Sequence, residues 1–183
     1  MLVLFSDRLL PYTGPELHSG WIATTFGLLG EAAVAWLGPA HVATADLVDL
    51  EDRAAGAEIH AALMLHFLAE HPDNALLTTV LRQRLLVAEA LELLAPQAPG
   101  LRREGDDLYL GGRKLSVSIA TRSPRSGLIH FALNVDPTGA PVPAVGLAEL
   151  GVEPRAFAEA LLARYQAETA AALAACGKVR EVE

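Results

Sequence analysis

The sequence has 183 residues, 52% of them hydrophobic, with 14 basic and 22 acidic side chains and a formal charge of −8 at pH 7. A chain of this length can bury its own core, so we expect a single domain over residues 1–183. One cysteine excludes an internal disulfide framework. The acidic balance disfavours nucleic acid as a partner. No apolar run reaches membrane-spanning length, which predicts a cytoplasmic domain with no membrane partner.

The first half of the chain alternates short apolar runs with Gly and Pro. Runs at residues 1–5, 32–37 and 64–69 predict three strands. Residues 12–20 are rich in Gly and Pro and predict a loop, which either covers a pocket as a lid or packs as an ordinary connection. The dense acid cluster at residues 46–52 is interpreted as a solvated loop or strand edge.

Two amphipathic helices are predicted further along the chain. From Leu77 to Ala95 apolar residues recur every three or four positions, and Pro96 ends the run. A second helix follows between Pro154 in its first turn and Gly177 just past its end. Helices and strands mixed in one chain indicate an α+β fold, with an antiparallel meander flanked by helices.

The meander is predicted from alternation with a period of two. A first strand ends at Gly111-Gly112, a pair that tolerates the positive φ of a two-residue hairpin turn. Apolar and polar residues then alternate over residues 114–119 and again over residues 129–135. A turn centred near Pro124 would pair residues whose numbers sum to about 248. This register predicts one polar face that carries Lys114, Ser116, Ser118, His130 and Asn134.

Two segments of the meander resemble a known superfamily. Asp106-Asp-Leu-Tyr-Leu-Gly-Gly-Arg-Lys-Leu115, followed by His130-Phe-Ala-Leu-Asn-Val135, is similar to the central signature of the biotin and lipoate protein ligases. The resemblance covers residues 73–135 well and implies their class II synthetase-like sheet. The whole chain also resembles an uncharacterised prokaryotic family of this fold, known only as a domain of unknown function.

The resemblance implies a small carboxylic acid, acyl group or nucleotide-like adenylate lying over the sheet. Lys114 and His130 would then be the catalytic residues, with Lys114 contacting a carboxylate or phosphate. The implied substrate-binding residues are Arg53, His60, Asp107, Ser116, Ser118 and Asn134. No metal ligands are implied, and the spacing of His66 and His71 places them on opposite faces of a strand, which does not suit metal binding.

The sequence departs from the superfamily at two points. Where the ligases have a glycine- and arginine-rich phosphate loop, the nearest counterpart here is Arg53-Ala-Ala-Gly56, whose alanines obstruct close approach of backbone to phosphate. ATP with Mg²⁺ therefore stays open as a cofactor. The octanoyltransferases have a cysteine nucleophile shortly after the Asn-Val pair, and residues 142–146 contain none.

Three hypotheses remain at this point. The protein is an enzyme that activates or transfers a small carboxylic acid, a binding protein for such a ligand, or a homo-oligomerisation module that has lost its ligand. Fold alone does not separate them. A concave, partly buried face around Lys114 would favour the first two hypotheses, and an open flat face the third.

Overall fold

The computed structural model describes residues 1–182. The helices are α1 Trp21–Phe26, α2 Leu50–Ala54, α3 Leu76–Leu94 and α4 Pro154–Cys176, and a 3-10 turn spans Thr44–Asp46. The strands are β1 Leu2–Ser6, β2 Ala32–Val42, β3 Ile59–His71, β4 Arg102–Glu104, β5 Asp107–Leu110, β6 Arg113–Lys114, β7 Ser116–Arg122 and β8 Gly127–Asp136. The predicted strands and both predicted helices are present, and β2 and β3 are longer than the apolar runs that predicted them.

A five-stranded sheet in the order β1-β2-β3-β8-β7 forms the centre of the fold. β1 and β2 run parallel, and the other neighbours in this sheet are antiparallel. The strands β4, β5 and β6 form a separate small sheet. This arrangement confirms the predicted α+β fold class.

The two faces of the main sheet are covered differently. The helices α3 and α4 pack on one face, where Phe67 and Phe131 stack with ring centroids 5.8 Å apart and Phe67 meets Phe157 of α4. The opposite face is partly covered by the first loop and α1, around Trp36 and Ile22. No helix among residues 1–182 combines the length and apolar character that crossing a membrane requires.

The predicted register of the β7–β8 hairpin is wrong by one residue. Ser118 pairs with Phe131 and Ile119 with His130, so paired residue numbers sum to 249. The cause is the turn, in which the N–H of Ser123 donates to the carbonyl of Ser126 and two residues, rather than Pro124 alone, form the tip. Because side chains alternate between faces, this shift puts Ser116 and Ser118 on the helix-covered face, opposite to His130 and Asn134.

The predicted three-stranded meander is also divided between two sheets. The Gly111-Gly112 turn forms as predicted, with φ of 58° and 78°, but the hairpin that it closes is β5–β6 of the small sheet. Lys114 therefore pairs with Tyr109 rather than with Asn134. The chain passes from the small sheet to the main sheet between Lys114 and β7. An alternation of apolar and polar residues does not indicate such a change of sheet.

Gly38 on β2 is the point at which the first loop crosses the sheet. The N–H of Leu10 donates to the carbonyl of Leu37, and the carbonyl of Leu10 accepts from the indole N–H of Trp36 at 3.0 Å. A Cβ atom on Gly38 would overlap the carbonyl of Leu10. The crossing therefore requires glycine for space at this position.

We expect Gly38→Ala to lower the free energy of unfolding by about 1 to 3 kcal/mol, the usual range when a group is forced into filled space. Urea unfolding measures the change. Gly177→Ala is the control, since Gly177 has an ordinary φ of −81° and only an ordinary contact around its Cβ position. Equal stability of the Gly38→Ala variant and the wild type would contradict the crossing as described.

Glu89 on α3 is a buried carboxyl without a partner. Its side chain is 3% exposed, and neither carboxylate oxygen has a hydrogen-bond partner among the described residues. Burial raises the pKa of Glu89 to about 7, against the opposing charge of Arg164 and with support from Glu168. The folded state thus binds this proton more tightly than the unfolded state does. Protonated Glu89 therefore contributes its full stabilisation of the folded state below about pH 4.5, and this contribution is lost as the pH rises through 7.

Glu89→Gln should therefore flatten the dependence of the melting temperature on pH between 5 and 8. At pH 8 we expect the variant to melt about 2 to 4 °C above the wild type, the shift that about 1 kcal/mol produces in a chain of this size. Glu181→Gln, in the exposed C-terminal segment, is the control and should follow the wild type. If the melting temperature of the variant depended on pH as that of the wild type does, ionisation of Glu89 would not destabilise the folded state.

Candidate functional site

A cavity of about 450 Å³ opens on the sheet face that the helices do not cover. Its floor comes from β3, β7 and β8, where Met64, Val117 and Ile119 are apolar lining residues. Its walls come from the segment between β2 and β3, from the β5–β6 hairpin and from residues 140–144. The face around Lys114 is thus concave rather than flat.

Two buried histidines lie side by side on this face. The Nδ1 atom of His66 lies 3.1 Å from Nε2 of His130, and Nε2 of His66 lies 3.1 Å from the carbonyl oxygen of Gly38. Tyr12, from the first loop, stacks on the His130 ring with centroids 3.6 Å apart and planes 5° apart. The loop is held to β2 by the N–H of Tyr12, which donates to the carbonyl of Pro39. The loop therefore packs against β2, and its Tyr12 also lines the cavity.

Both histidines are neutral at neutral pH. Burial lowers the pKa of His66 to about 4, against the opposing hydrogen bond with the Gly38 carbonyl. Burial, and secondly the neighbouring His66, hold the pKa of His130 well below its usual value. A neutral imidazole has one N–H donor and one acceptor nitrogen. The pair is therefore a hydrogen-bonding unit rather than a source of positive charge.

Asn134 lies further along β8 on the same face as His130. Its side-chain amide N–H groups donate to the carbonyls of Lys114 at 3.1 Å and Val145 at 3.3 Å. These two bonds tie β8 to β6 and to the segment after the 140–144 wall. The side chain is 6% exposed and lines the cavity, so its amide oxygen is the part left to face a ligand.

Lys114 forms an ion pair with Asp107 across the β5–β6 hairpin, with Nζ 2.7 Å from Oδ2. Burial lowers the pKa of the Lys114 ammonium, but the hydrogen bond and charge of Asp107 outweigh it and the net pKa is raised. Burial raises the pKa of Asp107 against the opposing hydrogen bond from Lys114. The ammonium is thus held in its charged form at the cavity wall, 28% exposed.

Carboxylates dominate the rest of the cavity wall. Lys114 is the single Lys or Arg among the lining residues that the structure describes, against six acids. The six acidic lining residues are Asp46, Asp49, Asp52, Glu58, Asp106 and Asp107. Within residues 1–182 no three His, Cys, Asp or Glu side chains are arranged to hold a metal ion. The wall therefore carries an excess of acidic groups, of which Asp107 is paired with Lys114 and Asp106 with Arg84.

Most of the predicted site residues meet at this cavity, and two do not. The lining residues among them are Lys114, His130, His60, Asp107, Ser118 and Asn134. Ser118 is a lining residue on the edge strand, but its side chain lies on the helix-covered face, where its hydroxyl accepts a hydrogen bond from Gln83 of α3. Ser116 is fully buried and its hydroxyl accepts the N–H of Leu108, so it is a structural residue of the hairpin junction. Arg53 is exposed on α2, outside the lining residues.

Three features of the site are missed by the sequence analysis. Tyr12 lies in a segment predicted only as a loop, and no pattern indicates that its ring stacks on His130. His66 shares a strand face with Met64, but the partner that gives it a role is 64 residues away. The acids Asp46 and Asp52 are exposed and Asp49 is half-buried, which agrees with the interpretation as solvated, but no sequence pattern indicates that they also line a cavity. Their density within seven residues is the signal that could have indicated a shared surface.

Two relatives of this chain resemble it over most of its length. Uncharacterized protein MJ0805 of Methanocaldococcus jannaschii is 36% identical over 159 residues, which are 84% of this chain and 72% of that protein. A Protein of Unknown Function from Pyrococcus horikoshi has a structure that superposes with a TM-score of 0.94 at 37% identity, covering 99% of this chain and 98% of that chain.

More distant structures confirm the ligase-like fold. The biotin protein ligase from Aquifex aeolicus in complex with biotin and ATP superposes with a TM-score of 0.55 at 15% identity, covering 90% of this chain and 68% of that chain. Protein Ta0514 from T. acidophilum, with bound lipoic acid, gives a TM-score of 0.51 at 15% identity, covering 92% of this chain and 85% of that chain. Identities this low establish the fold alone.

The sequence resemblance to the biotin and lipoate protein ligases is therefore confirmed at the level of fold. The expected membership of an uncharacterised family is confirmed as well. The chain belongs to the family described as Domain of unknown function (DUF366), whose model matches residues 1–180.

Proposed function

We propose that this protein binds a small carboxylic acid or acyl compound in the cavity, with the polar head of the ligand at Lys114. The observation that carries the proposal is the position of Lys114, the single cation among the described lining residues, at the wall of a cavity with an apolar floor. The volume of about 450 Å³ lies within the range of small-molecule sites. The concave face supports a ligand rather than an oligomer contact.

The ion pair with Asp107 leaves Lys114 able to bind such a head. An ammonium has three N–H donors, and Asp107 accepts one of them. A carboxylate or carbonyl oxygen of a ligand can accept another without breaking the pair. The pair also keeps the ammonium positioned before the ligand arrives, which reduces the entropy lost on binding.

The lining residues do not fit a nucleoside triphosphate. Six carboxylates face the cavity, and a polyphosphate would meet their repulsion with one lysine in compensation. Arg53, the residue that would serve a phosphate loop, lies outside the lining, and Ala54 and Ala55 follow it. The proposed activity is therefore binding of the acid or of a preformed acyl donor, without activation by ATP.

Acyl transfer through a thiol of this chain is not part of the proposal. Cys176 is exposed at the end of α4 and is not a lining residue. Transfer from a preformed donor would take place directly between donor and acceptor, with Lys114 stabilising the negative charge that develops on the carbonyl oxygen. In that case Lys114 would be catalytic as well as ligand-binding.

Lys114→Met should weaken binding of octanoate, lipoate or biotin, whichever binds best in titration calorimetry, by at least about 30-fold. Removal of the counter-charge to a desolvated carboxylate usually costs about 2 to 5 kcal/mol. Lys178→Met, which removes the other lysine of the chain from an exposed position, is the matched control. Unchanged affinity in Lys114→Met would place the ligand elsewhere and overturn the proposal.

The stability of the same variant needs a second control. Lys114→Met leaves Asp107 half-buried and unpaired, which lowers the melting temperature for a reason unrelated to binding. The double variant Lys114→Met/Asp107→Asn removes that charge and should recover most of the loss. If the double variant folds and still fails to bind, the loss of affinity belongs to Lys114.

We expect no pyrophosphate release above background when the protein is given ATP, Mg²⁺ and biotin, lipoate or octanoate. The reason is the repulsion between the acidic wall and the phosphates, set out above. A biotin protein ligase assayed in parallel shows that the reagents are active. Release that depends on the carboxylic acid and is lost in Lys114→Met would refute the exclusion of ATP.

A further inference from the structure

The two histidines of the buried pair, His66 and His130, can be assigned specific tautomers. The carbonyl oxygen of Gly38 only accepts hydrogen bonds, so the Nε2 atom of His66, 3.1 Å from it, must carry the proton. In the neutral ring Nδ1 of His66 is then an acceptor. The Nε2 atom of His130, 3.1 Å from it, must therefore be the N–H donor. It follows that Nδ1 of His130 has no proton and is an acceptor.

This acceptor nitrogen is left for a ligand. His130 is 3% exposed and lines the cavity, and no group among residues 1–182 bonds to its Nδ1. Among the described residues, four side-chain polar atoms are both inaccessible to solvent and without a hydrogen-bond partner, and Nδ1 of His130 is not one of them. Because Nδ1 has no partner, it must be accessible, and the space beside it is the cavity. Tyr12 stacked on the ring and His66 at its edge fix the direction in which the lone pair points.

The histidine pair is built to accept a hydrogen bond rather than to take up a proton. A general base of this kind is normally supported by a carboxylate that stabilises the imidazolium, and here the pair ends at the neutral carbonyl of Gly38. Burial and the neighbouring His66 hold the pKa of His130 well below its usual value, which supports the same conclusion. The acceptor is thus retained throughout the neutral pH range.

A second acceptor faces the cavity at the other end of β8. Both amide N–H groups of Asn134 are used by the carbonyls of Lys114 and Val145, and no described residue bonds to its amide oxygen. The side chain of Asn134 is hydrogen-bonded to the backbone carbonyl of Lys114. His130 lies four residues away from Asn134 along the strand, a distance on the order of 13 Å. Ala132 lies between them on the same face.

We infer that His130 is the specificity-determining residue of the cavity, and that the ligand is a small carboxylic acid or acyl compound with an N–H or O–H donor at the end opposite to its head. This inference rests on the proposed function, because it takes the head to lie at Lys114. The donor pairs with Nδ1 of His130. A purely hydrocarbon end would displace water from that nitrogen and leave it unpaired, which is unfavourable.

The first test examines the tautomer and needs no ligand. The ¹⁵N chemical shifts of the His130 ring at pH 7 distinguish a protonated nitrogen from an unprotonated one. We expect an unprotonated Nδ1 and a protonated Nε2, with resonances assigned by their loss in His130→Phe. A protonated Nδ1 would overturn the inference without affecting the proposed role of Lys114.

The second test compares two ligands of equal length, octanoate and 8-hydroxyoctanoate, by titration calorimetry with the wild-type protein. The hydroxyl donor should improve affinity by at least about 10-fold, as expected for a hydrogen bond to an otherwise unpaired buried acceptor. Equal affinity of the two ligands would refute the role of His130 and leave the proposed function standing. Failure of both ligands to bind would overturn this inference, and failure of lipoate and biotin as well would overturn the proposed function.

Two variants test whether His130 causes the preference for 8-hydroxyoctanoate over octanoate. His130→Phe keeps an aromatic ring for Tyr12 to stack on and removes the acceptor, so the two ligands should then bind within about 3-fold of each other. His18→Phe changes an exposed histidine that is not a lining residue, and this variant should retain the wild-type preference. If His130→Phe keeps the preference, the donor is read by another residue and the inference is wrong.

Discussion

The geometry of the site depends on Gly38, because the site uses both its lack of a side chain and its backbone carbonyl. The absence of a side chain lets the carbonyl of Leu10 lie directly against the strand, and this crossing brings Tyr12 over the sheet. The carbonyl of the same glycine accepts a hydrogen bond from the Nε2–H of His66. Stacking by Tyr12 and the hydrogen bond that His130 donates to His66 then hold His130 in one orientation and one tautomer. These contacts preorganise the floor of the cavity, since all of them are made between residues of the protein itself.

The side chains of the cavity wall, rather than the fold, limit what this cavity can bind. Proteins of similar fold at 15% identity have been solved with biotin and ATP in one case and with lipoic acid in another. Here one lysine stands among six carboxylates, and that lysine is already paired with Asp107. Fold similarity at this identity carries no information about such a wall, because side chains rather than backbone set its charge. Function must therefore be argued from Lys114, His130 and the acids themselves.

The register of a single hairpin shows how a small error in sequence reasoning becomes a large error in function. Alternation predicts both β7 and β8, and both are present. The tip of the turn holds two residues instead of one, and the pairing shifts by one position. Ser116 and Ser118 therefore leave the predicted polar face, and Ser116 becomes a buried structural hydroxyl. His130 and Asn134 keep their shared face because they lie on the same strand, where the period of two is independent of the turn.

The sequence by itself determined the features that depend on neighbouring residues. The helix stripes, the alternation of the strands, the Gly111-Gly112 turn and the ligase-like signature are all local patterns, and they predicted the fold class and the presence of Lys114, His130 and Asn134 at one site. Only the tertiary structure decided which side chains meet, such as His66 with His130 across 64 residues of sequence, and Tyr12 on His130. The physical reason is that burial, tautomer and wall charge arise from contacts between distant segments, and no local pattern specifies which distant segment lies opposite.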